Sequence, residues 1–232
     1  SIAGYDMTTA SEVTAVGYGA GQNITTGSYN TLLGHSAGAD MTTGQYNVIV
    51  GSVAGGNITG SEQNVLLGAY SGRMLQASKR LIAIGYEAGY QATTGYQVAI
   101  GHSALKNSTT ATENVAVGNE ALYGGAASTS IYNTAIGNYA LVDVTDASNN
   151  TALGYKAGYA NTSGDGNVFI GYLAGSDATA TDSNKLFINN AAGTPLIGGD
   201  FSAGTVTIDG TLSATAKSFN IEHPLYKDKR LV

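Results

Sequence analysis

Val98-Ala99-Ile100-Gly101-His102-Ser103-Ala104 is one instance of a heptapeptide that returns along most of the chain. A branched aliphatic residue followed by glycine recurs at Gly17, Gly34, Gly51, Gly68, Gly85, Gly101, Gly118, Gly137, Gly154 and Gly171. The successive spacings are 17, 17, 17, 17, 16, 17, 19, 17 and 17. Self-similarity at such a period marks a solenoid, in which each repeat buries its apolar side only against its neighbours. Chains built this way serve as rods or as extended binding surfaces.

Each anchor glycine is taken as position zero. Position −3 is Thr14, Thr31, Val48, Val65, Ile82, Val98, Val115, Thr134, Thr151 and Val168, all β-branched. Stiff side chains of this kind favour a pleated surface, so each repeat is predicted to carry a short strand that ends at its glycine. Position −1 is aliphatic throughout. Position −2, on the opposite face of that strand, holds Ala15, Leu32, Ile49, Leu66, Ala83, Ala99, Ala116, Ala135, Ala152 and Phe169. A strand apolar on both faces is covered on both. One cover is the repeat's own coil, which at 17 residues is too small to wrap the second face. The −2 column therefore predicts partner chains, and Leu66→Asp is expected to block their assembly.

Position +3 is alanine or serine in every repeat, and +4 is glycine except at Leu105, Leu122 and Leu141. These small residues read as a tight corner. A second corner is expected at +10, where Gly27, Gly44, Gly95 and Gly164 supply backbone angles closed to other residues. At −4 stand Asn30, Asn47, Asn64, Asn114, Asn133, Asn150 and Asn167, read as a hydrogen-bonded ladder along the stack rather than as a ligand column. A degraded eleventh repeat, Asn184 to Ile188, places Ile188 where glycine is due and is expected to close the stack. Helical periodicity and caps are absent. The fold class expected is all-β: a parallel β-solenoid (β-roll) of about eleven 17-residue repeats over residues 11–190. At ~4.8 Å per strand it would be roughly 50 Å long. Residues 1–10 read as a lead-in cut from a longer chain, and residues 191–232 as a C-terminal β segment.

Composition narrows the function. A net charge of −6 argues against nucleic acid, which requires a basic stripe. The absence of cysteine removes disulfide and thiol chemistry and suits an extracellular setting. No run of 18 apolar residues spans a membrane, and Ser1 to Ala10 lacks the basic and apolar regions of a signal peptide.

The Val-Ala-Ile-Gly-x-x-Ala unit at 98–104 resembles the head repeats of trimeric autotransporter adhesins, which are parallel β-rolls packed three-fold about an axis. Asn133-Thr134-Ala135-Ile136-Gly137 also resembles repeats of phage tail fibres and related appendages. The segment from Gly204 to Leu225, with Lys229-Arg230-Leu231-Val232, is similar to the region that precedes the self-cleaving chaperone of tail fibres and tailspikes. In that family the chaperone helps the trimer assemble and is then removed. The resemblance implies a homotrimer located on a virion, with a host cell-surface receptor, a glycan, as its target. The alternatives are a bacterial trimeric adhesin head and a polysaccharide-degrading tailspike.

Candidate chemistry is sparse. Tyrosines fall in columns: Tyr18, Tyr86, Tyr155 and Tyr172 at +1, and Tyr29, Tyr46, Tyr96 and Tyr132 at −5. The +1 row is the candidate for stacking on sugar rings; bracing of the coil corners is the competing role. His35 and His102 share the +1 column but lie four repeats apart, too far to join at one metal within a chain, so no metal or cofactor is expected. His223 needs only a packing role. The carboxylates from Glu12 to Asp165 recur at no spacing that would flank a glycosidic bond, so no catalytic residue is assigned and no enzyme is expected. Thr-Thr-Gly at 25–27, 42–44 and 93–95 hints at an ice-binding row, but the column loses register at 57–59, 76–78 and 108–110.

Overall fold

Strand β1 (Thr14–Val16) and its successors occupy positions −3 to −1 of every repeat: β2 (Thr31–Leu33), β3 (Val48–Val50), β4 (Val65–Leu67), β5 (Ile82–Ile84), β6 (Val98–Ile100), β7 (Val115–Val117), β8 (Thr134–Ile136), β9 (Thr151–Leu153) and β10 (Val168–Ile170). The structure is a computed structural model that describes residues 2–75, 79–92, 96–124 and 129–211. The Thr-Thr-Gly at 93–95, His223 and the tail beyond residue 211 lie outside the described residues. Adjacent strands pair in parallel with like columns opposite, as in Val98↔Val115, Ala99↔Ala116 and Ile100↔Val117. β11 (Lys185–Ile188) adds in parallel, and β12 (Ile197–Asp200) and β13 (Thr205–Ile208) follow antiparallel, giving one sheet in chain order. The chain is an all-β solenoid with an antiparallel end, and no helix occurs among the described residues.

The two ends differ from expectation. Ile188 pairs with Ile170, so it takes the −1 position and Asn189 takes the glycine position. The eleventh rung does not close the stack, because β12 hydrogen-bonds along its free edge. At the other end, residues of the lead-in already follow the coil path: Gly4 and Asp6 donate backbone hydrogen bonds to Ala20 and Gln22 of the next coil.

The −2 column faces inward, not toward a partner. Leu32, Ile49, Leu66, Ala83, Ala99 and Phe169 lie in the coil's own core with the +3 alanines, and Leu66 is 0% exposed. The −1 and −3 columns are the faces left outside. The strand is apolar on both sides, as expected, but the sides are exchanged. Position +4 explains the inward assignment. Where −2 is large, +4 is glycine: a Cβ on Gly38 would lie 3.0 Å from Leu32, and one on Gly72 would lie 2.7 Å from Leu66. Where −2 shrinks to Ala99, Ala116 or Ala135, Leu105, Leu122 or Leu141 at +4 fills the same volume and is buried. Interiors packed at crystal-like density require such compensation.

Glycine at the anchor has a steric cause. Gly17 and Gly34 adopt φ of 129° and 134°, and a Cβ there would stand 2.5 and 2.6 Å from the carbonyl oxygen of the next rung's glycine. Among the described residues the +10 glycines, Gly27, Gly44 and Gly164, are not left-handed. Gly44 is needed because a Cβ would meet the Ser61 carbonyl at 2.5 Å, so close stacking, not backbone angle, selects glycine there. Left-handed corners lie instead at −5, +2 and +4, as at Tyr46, Val53 and Gly55 (φ 59°, 56° and 54°). The strand-favouring Val53 is unexpected in that conformation.

The −4 asparagines tie one coil to the next. The Asn47 Nδ2 donates to Asn30 Oδ1 at 3.0 Å and to the Ser61 carbonyl at 2.9 Å, while Asn47 Oδ1 accepts from the Asn64 backbone N–H at 3.0 Å. The same pattern joins Asn133, Asn150 and Asn167. All seven are buried, out of reach of a ligand. The ladder is interrupted by Leu81, which fills core volume beside Gly89. Asn47→Ala orphans the Asn64 N–H and the Ser61 carbonyl. At about 1–3 kcal/mol per buried orphan, the melting temperature should fall by about 5–15 °C; an unchanged melt would rule out the ladder as a stabilising device.

Candidate functional site

The outward face of the sheet is left uncovered by the coil itself. Its −3, −1 and +1 columns run in register from β1 to β10 and contain no Asp, Glu, Lys or Arg. Large aliphatic side chains stand in solvent along it, among them Val16 at 55% and Leu153 at 48% exposure. Isolated exposed apolar residues are ordinary; here they repeat from rung to rung in the −1 column.

The +1 row borders this face. Because strands repeat at ~4.8 Å, like residues on adjacent rungs must stack. Tyr18 lies on His35 (centroids 5.3 Å apart, planes 4°), Tyr86 on His102 (5.3 Å, 14°) and Tyr155 on Tyr172 (5.5 Å, 14°). Tyr70 and Tyr139 add edge contacts to Tyr86 and Tyr155. The four candidate tyrosines are exposed, yet each lends a ring face to its stacking partner. Stacking on a sugar requires a free ring face, which leaves the stack ends, Tyr18 and Tyr172, as the most accessible. In the −5 row Tyr29 and Tyr46 stack at 4.9 Å, and Arg80 lies over the Tyr96 ring and donates to its hydroxyl at 2.5 Å.

A second row is not evident from residue type, although its spacing is present in the sequence. Arg73, Tyr90, Lys106 and Tyr123 share position +5 and alternate cation with ring. The Arg73 guanidinium lies 5.9 Å from the Tyr90 centroid and donates to its hydroxyl at 3.1 Å; the Lys106 ammonium lies 6.0 and 5.7 Å from the Tyr90 and Tyr123 rings. Lys106 also pairs with Glu87 at 2.6 Å, and the hydrogen bond to that carboxylate raises the lysine pKa. Cation–π contacts at exposed sites contribute about 0.5–1 kcal/mol each, so this row braces the coil flank.

The remaining candidates are committed locally. His35 and His102 sit in the tyrosine stacks, and among the described residues no three His, Asp or Glu side chains are grouped to hold a metal ion. Hydroxyls of Thr8, Thr25 and Thr42 donate to carbonyls of the next rung rather than forming a free outward array. At the C-terminal end Lys185 Nζ bonds Asp200 Oδ2 at 2.5 Å. Lys185, with Ser202 and the Ala203 N–H, holds the Asp200 carboxyl well below the usual carboxylate range. A depressed carboxylate pKa stabilises at every pH above its unfolded value, and that contribution is lost as pH falls through the folded value.

No helix among the described residues is long and apolar enough to cross a membrane. Comparison with protein-family models, with curated proteins and with solved structures gives no match.

Proposed function

We propose that this chain forms the shaft of a homotrimeric adhesive fibre of a viral tail, exposed on the virion, which supports or presents recognition of a host cell-surface glycan. The single observation that carries this is the uncharged outward face, whose −1 column is aliphatic in every rung from β1 to β11. A solenoid coil has no internal means of covering it, and partner copies of the same rise do. The number three rests on the resemblance of the repeats to adhesin heads and of the tail to fibre proteins. A rod of this kind acts mechanically: it stiffens the appendage and repeats weak contacts in several copies, so avidity replaces affinity.

The test is retention on an array of bacterial surface glycans and on whole cells, with an assembly-deficient variant, Ile100→Asp, alongside. The trimer should be retained, and the single chain should bind about 100-fold or more weakly through lost avidity. Absence of retention of the assembled protein on every surface would overturn the adhesive role.

A further inference from the structure

Beyond β11 the coil ends but the outward face does not. In the pairing of β10 through β13, Ile170 lies opposite Ile188, Ile188 opposite Ile197, and Ile197 opposite Ile208. Residues directly opposite in a ladder project to the same face, so the −1 stripe passes unbroken from parallel to antiparallel strands. The −3 stripe continues likewise through Val168, Leu186, Gly199 and Val206. The other side of the hairpin is different. Where a core would lie, β12 and β13 offer Gly198 and Thr207, the continuation of the inward column of Phe169 and Phe187. Val206 is 67% exposed and Ile208 39% exposed, and every residue of β13 is exposed. The hairpin, held to the coil through the β11–β12 pairing, therefore retains the outward apolar pattern and has lost the inward one.

We infer that the β12–β13 hairpin is an interchain docking element that packs on a second, parallel copy of this chain and fixes the register between copies. The inference rests on the multimeric rod proposed above. The occupant follows from the surface. Thirteen rungs at ~4.8 Å make a face about 58 Å long, and five residues across make it about 13 Å wide. The resulting area of about 750 Å² is close to the ~800 Å² that each partner of a stable interface buries. Its ridges repeat at the strand spacing, so a partner interdigitates along the full length only if it has the same rise, which a second copy has. From β1 to β10 the −3, −1 and +1 columns of the face carry no Asp, Glu, Lys or Arg to attract a charged partner. A groove of about 510 Å³ at the parallel-to-antiparallel junction, lined by Ile170, Ile188 and Leu196, receives the partner's side chains. Parallel copies bring each hairpin onto its counterpart; antiparallel copies would set it against the threonine-bearing rungs of β1 and β2.

The chain has no cysteine, so one introduced thiol reports one contact. In the full chain, Ile208→Cys under mild oxidation should give a covalent two-chain species, as should Ile100→Cys in the middle of the shaft. Val206→Asp, which changes a solvent-exposed side chain of the single coil, should leave strand content unchanged and weaken assembly by about 100-fold, since a buried unpaired charge is strongly unfavourable. Cross-linking of the Ile100→Cys variant but not of the Ile208→Cys variant, with Val206→Asp assembling normally, would overturn the hairpin's role and leave the rod intact. Failure of both thiol variants to cross-link, with a single-chain mass, would overturn the rod and the hairpin together.

Discussion

Leu66→Asp should unfold the middle of the solenoid, not merely separate copies. Leu66 is fully buried, and its methyls fill the space beside Gly55 and Gly72. The substitution removes about 2–3 kcal/mol of apolar burial and places an unpaired carboxylate in a dry core, a further cost of several kcal/mol. A loss of about 5 kcal/mol lowers the melting temperature by roughly 10–20 °C in a chain of this size. Because each coil contacts only its neighbours, the break should propagate outward from the fourth rung. Circular dichroism melts and native-state hydrogen exchange across β3 to β5 report it. A variant that melts like the parent yet fails to assemble would mean that Leu66 points outward.

Ile100→Asp should do the reverse. Ile100 is partly exposed on the outward face, between Ile84 and Val117 of the adjacent rungs. In a single coil its carboxylate remains hydrated, and the change should cost less than about 1 kcal/mol, as surface substitutions do. In a three-fold rod it brings three carboxylates into one apolar layer, at about 3–5 kcal/mol for each unpaired buried charge. Strand content and the far-ultraviolet spectrum should persist while the assembly dissociates at micromolar concentration. Loss of the fold instead of the assembly would place Ile100 inside the coil. The two substitutions thus separate the faces of one strand, one by a change in stability and the other by a change in mass.

Most of the fold is legible in the sequence because a solenoid writes its geometry once per turn. The β-branched −3 column and the anchor glycine locate ten strands to the residue, and the asparagine column foreshadows a set of buried hydrogen bonds. The orientation of the strand is harder to read, since columns apolar on both faces do not say which face is internal. The deciding signal is nonetheless present: Leu105, Leu122 and Leu141 appear only where the preceding −2 residue is alanine. Two columns that exchange volume must touch, and only the inward face can touch the far corner of the same coil. The left-handed +2 corner is hidden because Val53, Glu87 and Leu173 are not residues that announce such a conformation. The +5 row of Arg73, Tyr90, Lys106 and Tyr123 is obscured because cation and ring alternate, so no single residue type fills the column. The antiparallel hairpin is unreadable in register, because the 17-residue period stops before it.

The central claim is that the aliphatic outward face is buried between copies of this chain. Sedimentation equilibrium or multi-angle light scattering of the purified protein at micromolar concentration tests it most directly. The expected mass is three times the 23.5 kDa of the chain, unchanged on dilution. A stable species of 23.5 kDa with its strands intact would contradict it.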